Sequence, residues 1–277
     1  MTRSATLRVP GATIYYEVRG SGPILLVFGS PMASPMFASL ADALADHYTV
    51  VTHDPRGISR STIDDPDQDS TPELRADDVV ALLDALGTED ADVFGTSGGA
   101  VTGLALVARH PRRVRTLIAH EPPVLELLPD AATHRAGTES LIETFHQEGV
   151  GAAWAAFMGT AGFDDDPEDM PPGMMEPTEQ DIADGARFFG HELRWTTQYE
   201  PDIAALHGGT ARVIVGVGAD SGDLLTYQTS AALAERLGTP MVTFPGDHGG
   251  FIGHPQAFAE TLGEVLTSSR PAASAGR

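Results

Sequence analysis

The sequence predicts an α/β fold, a mainly parallel sheet flanked by helices and interrupted once by a helical insertion. Three observations carry that reading. Apolar runs short enough for strands alternate with segments of helical periodicity along most of the chain. The clearest of these runs is apolar at every position, as a strand covered on both faces must be. Between residues 123 and 206 the alternation stops, and that interval reads as several helices joined by acidic, proline-rich loops.

Taken in order, residues 6–9 and 13–18 read as strands joined by the turn Pro10-Gly11. Residues 24–28 (ILLVF) form the continuous apolar run, bounded by Gly22-Pro23 and Gly29. A helix over 36–46 places Phe37, Leu40, Ala41 and Leu44 at helical spacing, and a strand over 48–53 follows. The helix over 72–86 gathers Leu74, Val79, Leu82, Leu83 and Leu86 on one side, with acids near its start, where they suit the helix dipole. Residues 91–95 are a short strand, 98–109 a helix of small residues ended by Pro111, and 114–119 a strand. In the insertion, helices are expected over 132–148, 151–159 and 179–199. The rhythm resumes with strand 211–217, helix 226–237, strand 241–244 and helix 256–266. The expected division is a core of 1–122 and 207–277 with a helical unit of 123–206.

The composition limits what such a fold could serve. A chain of 277 residues, 42% apolar and 20% charged, suits one large domain with an insertion. Acidic residues number 39 against 17 Lys+Arg, a net charge of −22, which argues against nucleic-acid or anionic-membrane partners. A small molecule is the expected partner, and self-association into a homodimer is compatible with the sequence. No window approaches the roughly 18 apolar residues of a membrane span, and residues 1–9 hold no apolar signal core, so the cytoplasm is the expected location. Cysteine is absent, which excludes disulfides, thiolate metal sites and a cysteine nucleophile. The acidic run from Asp164 to Asp169 lacks the glycine and terminal glutamate of a calcium loop and reads as a solvated loop.

The most informative segment is Gly95-Thr96-Ser97-Gly98-Gly99, a G-x-S-x-G pattern between a predicted strand and a predicted helix. A serine hydroxyl is a weak nucleophile until a base takes its proton. A sharp strand–turn–helix lifts Ser97 above the sheet edge, and Gly95 and Gly99 leave room for that crowding. The Gly98 amide then opens the helix and points toward a developing oxyanion.

With this elbow, the ARHPRRV that follows it, His53-Asp54-Pro55-Arg56-Gly57 and the C-terminal FPGDHGGFIGHP, the chain resembles the α/β-hydrolase fold superfamily over nearly its whole length. The resemblance implies an eight-stranded sheet, a helical cap inserted after the sixth strand, and a serine–acid–histidine order along the chain. His248, just after the last short strand, matches the family's histidine; His254 precedes Pro255 and reads as a helix start. Asp220, after Gly216-Val217-Gly218-Ala219, matches the usual position of the acid. Glu121, at the end of strand 114–119, and Asp223 are competitors, and Glu121 otherwise reads as a pocket-wall residue that would repel anionic substrates. Ser30 supplies the second oxyanion amide by position, with its hydroxyl a further candidate donor; Pro31 has no N–H to give. The histidine that often precedes this loop's glycine is replaced by Phe28. Asp54 and Arg56 read as ties between loops. Trp195 and Tyr199, late in the last helix of the insertion, are expected to line the pocket.

The implied activity is an esterase-like serine hydrolase acting on a small, largely uncharged ester or lactone through an acyl-enzyme, with no cofactor and no metal. Serine at 97 argues against the epoxide-hydrolase and dehalogenase members, which need aspartate there. A carbon–carbon bond hydrolase, a perhydrolase, a cofactor-free lyase or an inactive ligand-binding member of the fold stay open as alternatives.

Overall fold

The structure is a computed structural model that describes residues 2–162, 177–222 and 224–268. In chain order its strands are β1 (Arg3–Val9), β2 (Ala12–Gly20), β3 (Ile24–Phe28), β4 (Thr49–His53), β5 (Thr62–Ile63), β6 (Ala91–Thr96), β7 (Val114–His120), β8 (Arg212–Gly218) and β9 (Val242–Phe244). They form one sheet in the order β1-β2-β4-β3-β6-β7-β8-β9, with β5 paired beside β2. The first hairpin and the β2–β4 pair are antiparallel, and every neighbouring pair from β4 to β9 is parallel. The main path therefore has the eight strands expected, and the two-residue β5 is an addition to it.

The helices are α1 (Ala38–Leu44), α2 (Pro72–Ala85), α3 (Gly98–Arg109), α4 (Ala131–Glu148), α5 (Val150–Ala161), α6 (Glu179–His191), α7 (Leu193–Thr197), α8 (Ile203–Gly208), α9 (Leu225–Leu237), α10 (Gly250–Gly253) and α11 (Pro255–Thr267). β3 shows why its run had to be apolar throughout. Leu25 and Val27 face Phe37 and Leu40 by α1 and Phe258 and Leu262 of α11. Leu26 and Phe28 face the other way, toward Val79 and Leu82 of α2 and Leu104 of α3. Alternation along the strand thus feeds two cores. The start of α2 is fixed by Thr71, whose hydroxyl accepts from the Leu74 amide at 3.2 Å ahead of Pro72.

Helices α4 to α8 lie between β7 and β8, after the sixth strand of the main path. The first four share an aromatic core in which Trp154 stacks on Phe188, ring centroids 5.3 Å apart. The single helix expected over 179–199 is instead two, α6 and α7, broken at Glu192. The short α8 and α10 had no clear signal in the sequence. The acidic run Asp164–Asp169 and Asp223 lie outside the described residues. No helix among the described residues is long and apolar enough to cross a membrane.

Candidate active site

The elbow is built as its sequence requires. Ser97 joins β6 to α3 with φ 53° and ψ −129°, a conformation that non-glycine residues seldom adopt. Its amide donates to the His120 carbonyl at 2.9 Å, which ties the turn to the neighbouring strand. Close approach explains the glycines. A Cβ on Gly95 would lie 2.6 Å from the Gly99 carbonyl oxygen, and one on Gly99 would lie 2.6 Å from the Gly29 Cα. Gly98 is the first residue of α3, so its amide has no acceptor within the helix.

His248 lies on the loop between β9 and α10, with its side chain mostly buried. Its Nδ1 is 2.6 Å from Glu121 Oε2. Glu121 directly follows β7, at φ 49°, and is fully buried. Oε1 accepts from the Gly218 amide at 2.8 Å, and Oε2 also accepts from the Thr226 hydroxyl at 3.0 Å. Burial alone would raise this carboxyl's pKa, but the His248 hydrogen bond and the nearby imidazoles outweigh it and bring the pKa down to about 2. The group is an anion, so Nδ1 of His248 must be the donor, and in the neutral ring Nε2 is the acceptor.

This arrangement corrects the expectation for Asp220. Asp220 is exposed, and among the described residues its carboxylate makes no hydrogen bond. The reason is local. The Ala219 and Asp220 amides donate to Phe244 O at 2.9 Å and Gly246 O at 3.0 Å. Those bonds lay the loop after β8 along the chain leaving β9, while Glu121 from β7 fills the space facing Nδ1 of His248. Glu121 is also not the pocket-wall residue expected, since it lies behind the histidine and does not line the cavity.

A cavity of about 980 Å³ opens over Ser97, His248, Ser30 and Gly98. Phe157 and Phe188 of the insertion line it, with Met32 and Leu141. Trp195 and Tyr199 do not. On α7, Leu193, Thr196 and Thr197 stand at i, i+3 and i+4 and take the cavity side, which leaves Trp195 outside at 42% exposure. Tyr199 packs instead on the core beneath, where burial pushes its phenol pKa up. The described lining includes Asp181, Asp184 and Asp247 and no Lys or Arg. Among the described residues no cluster of His, Asp and Glu could hold a metal ion.

Other residues had no motif to announce them. His120, completely buried, packs against His248 with ring centroids 6.2 Å apart and pairs its Nδ1 with Thr96 Oγ1 at 2.9 Å. Burial lowers its pKa to about 4, so it is neutral. The Ser30 hydroxyl, expected as a possible oxyanion donor, is turned to the buried carboxylate of Glu192. Asp54 does tie loops: it accepts from the Ser34 amide at 2.8 Å and pairs with Arg60 at 2.7 Å. Arg56 pairs with Asp78 at 2.6 Å, both buried.

Comparison with known proteins bears on the fold and the family. Residues 22–254 match the family of the alpha/beta hydrolase fold. The uncharacterized hydrolase YraK of Bacillus subtilis (strain 168) is 34% identical over 274 residues, covering 96% of this chain and 97% of that protein. A zearalenone hydrolase of Cladophialophora bantiana is 28% identical over 280 residues, covering 95% of this chain and 96% of that one. Among solved structures, a thermophilic esterase from Thermogutta terrifontis matches with a TM-score of 0.76 at 21% identity, covering 97% of this chain and 100% of that chain. From the strand order, the serine elbow and the sequence match together, it follows that this chain is a hydrolase of the alpha/beta hydrolase fold family.

Proposed function

We propose that the enzyme cleaves an uncharged carboxylic ester or lactone through an acyl-enzyme on Ser97, with His248 as the base and Glu121 as the acid of the triad. The observation that carries this reading is the 2.6 Å contact from Glu121 to His248 Nδ1, made beside a cavity that both His248 and Ser97 line. Nε2 of His248 takes the Ser97 proton as the hydroxyl oxygen attacks the carbonyl carbon. Glu121 stabilises the imidazolium that forms. The Ser30 and Gly98 amides receive the developing oxyanion. His248 then returns its proton to the leaving alkoxide, and water, activated by the same nitrogen, releases the acid.

The lining supports the substrate class. Three aspartates and no Lys or Arg in the described wall disfavour an anion, and the aromatic and aliphatic side chains favour an apolar body. At about 980 Å³ the cavity is at the upper end of small-molecule sites, so compounds well beyond a short acyl ester fit. Residues 123–206 serve in this reading as a cap over a core of 1–122 and 207–277. The test is a screen of p-nitrophenyl esters of graded chain length alongside lactones, with Ser97→Ala as control. Zearalenone belongs in that screen because a relative is named for its hydrolysis. Turnover that survives Ser97→Ala would refute the reading.

A further inference from the structure

We propose that Glu192 is a positioning residue that braces Ser30, and with it the oxyanion hole, through a buried network including Arg75. This rests on the reading of Ser97 as nucleophile with the Ser30 and Gly98 amides as oxyanion donors.

Glu192 is the residue at which α6 and α7 break, and it is 1% exposed. Its Oε1 accepts a hydrogen bond from the Ser30 hydroxyl, 162 positions away in sequence. The guanidinium of Arg75, on α2 and also buried, lies 3.7 Å from the same oxygen. Arg75 donates from Nε to the Thr102 hydroxyl of α3 at 2.9 Å, and from Nη2 to the Thr196 hydroxyl of α7 at 2.9 Å. Thr102 in turn donates to the Gly98 carbonyl at 3.1 Å. The path runs Ser30–Glu192–Arg75–Thr102–Gly98 and closes on itself, because a Cβ on Gly98 would stand 2.7 Å from the Ser30 carbonyl oxygen. Side-chain hydrogen bonds and one ion pair thus join the two segments whose amides face the oxyanion.

Stability is a poor explanation for this arrangement. A buried ion pair loses much of its attraction to desolvation, and apolar replacements of equal volume are commonly neutral or better. Here Glu192 Oε2 is buried with no hydrogen-bond partner among the described residues, which adds to the cost. What the pair achieves is orientation. With its hydroxyl turned to Glu192, Ser30 faces the reacting carbonyl through its backbone. Glu192 and Thr196 both belong to the insertion, so part of the brace on Ser30 comes from outside the sheet core.

The test is a double-mutant cycle on kcat and KM with Ser30→Ala, Glu192→Met and the double variant, using an ester that the wild type turns over; methionine keeps the volume and removes the carboxylate acceptor. Labelling of Ser97 by a fluorophosphonate is followed by peptide mass spectrometry in parallel. Removing an oxyanion donor outright costs about 10²–10³ in kcat, so loss of its brace is expected to cost about tenfold, with KM changed less than about twofold. The double variant should fall no further than Glu192→Met alone, because each change removes one partner of the same Ser30–Glu192 hydrogen bond. Ser30→Ala removes a single hydroxyl and keeps the test open if Glu192→Met does not fold. Wild-type kcat in Ser30→Ala, a loss confined to KM, or single losses that multiply in the double variant would each overturn the bracing role while Ser97 still labels. Failure of Ser97 to label in the wild type would overturn the underlying reading, and this one with it.

Discussion

Glu121 Oε2 lies 2.6 Å from His248 Nδ1, and the backbone of Glu121 is held at φ 49° to put it there. A left-handed conformation at a non-glycine residue costs on the order of 1–3 kcal/mol. It persists because both ends of the residue are fixed. The Glu121 amide donates to Gly216 O at 3.0 Å, and the carboxylate is gripped by the Gly218 amide and the Thr226 hydroxyl. β8 and α9 therefore position a carboxylate that β7 supplies.

The cavity wall separates binding from folding. Phe157 lines the cavity and is only partly buried, whereas Trp195 faces solvent. Phe157→Ala is expected to change KM across a series of esters of graded chain length. Trp195→Ala should leave kcat and KM unchanged and alter stability by no more than about 0.5 kcal/mol. Steady-state kinetics and urea titration of both variants check this.

Acid should destabilise the fold in two stages. Burial lowers the pKa of His53 and of His120 from 6.5 to about 4. The unfolded chain therefore takes up their protons first. Stability is complete above pH 6.5, falls as the pH drops toward 4, and loses about 3 kcal/mol per histidine. Glu121 acts lower. Its folded pKa of about 2 lies under its ordinary 4.5, so its contribution is present above 4.5 and is lost toward pH 2. Unfolding free energies measured by denaturant from pH 8 to 4 should show the first stage, and a flat profile over that interval would contradict it.

The approach of α3 to the loop after β3 depends on Gly99. A Cβ there would meet the Gly29 Cα at 2.6 Å and the Phe28 carbonyl oxygen at 2.7 Å, both backbone atoms that cannot rotate away. Gly99→Ala is expected to destabilise by about 1–3 kcal/mol, the usual range for overpacking. Gly87→Ala, also at a glycine but with open space around it and φ 69°, isolates the cost of backbone conformation alone. Thermal or chemical denaturation of the two variants compares them.

What the sequence showed of this site follows the range of the forces involved. The elbow and the histidine loop are local: their glycines, strand ends and helix starts lie within a few residues of Ser97 and His248, so the elbow was legible as a motif and the histidine by its place after the last strand and the family resemblance. The acid is not local. Glu121 and Asp220 both follow parallel strands, and which one meets His248 depends on how the loop after β8 is tied to β9. That tie is made by backbone bonds from Ala219 to Phe244 and from Asp220 to Gly246, which no side-chain pattern encodes. Residues 179–199 kept one helical pattern in sequence, yet the helix breaks where Glu192 buries its carboxylate against Ser30. Arg75 and Glu192 stand 117 positions apart, so their pairing left no trace in spacing. The same break turned Trp195 outward and brought Leu193 and Thr196 to the cavity in its place.

The most direct test of the central claim is turnover of one activated ester by the wild type, Glu121→Gln and Asp220→Asn under identical conditions. In Glu121→Gln the amide group can still accept from the Gly218 N–H through its oxygen, which leaves its NH₂ facing His248. The imidazole must then offer a lone pair at Nδ1 and carry its proton on Nε2, where it cannot serve Ser97 as a base. By analogy with triad acids, kcat should fall by about 10³–10⁴. Asp220→Asn, at an exposed side chain, should stay within about twofold of the wild type. The opposite pattern, an active Glu121→Gln and a dead Asp220→Asn, would contradict the account.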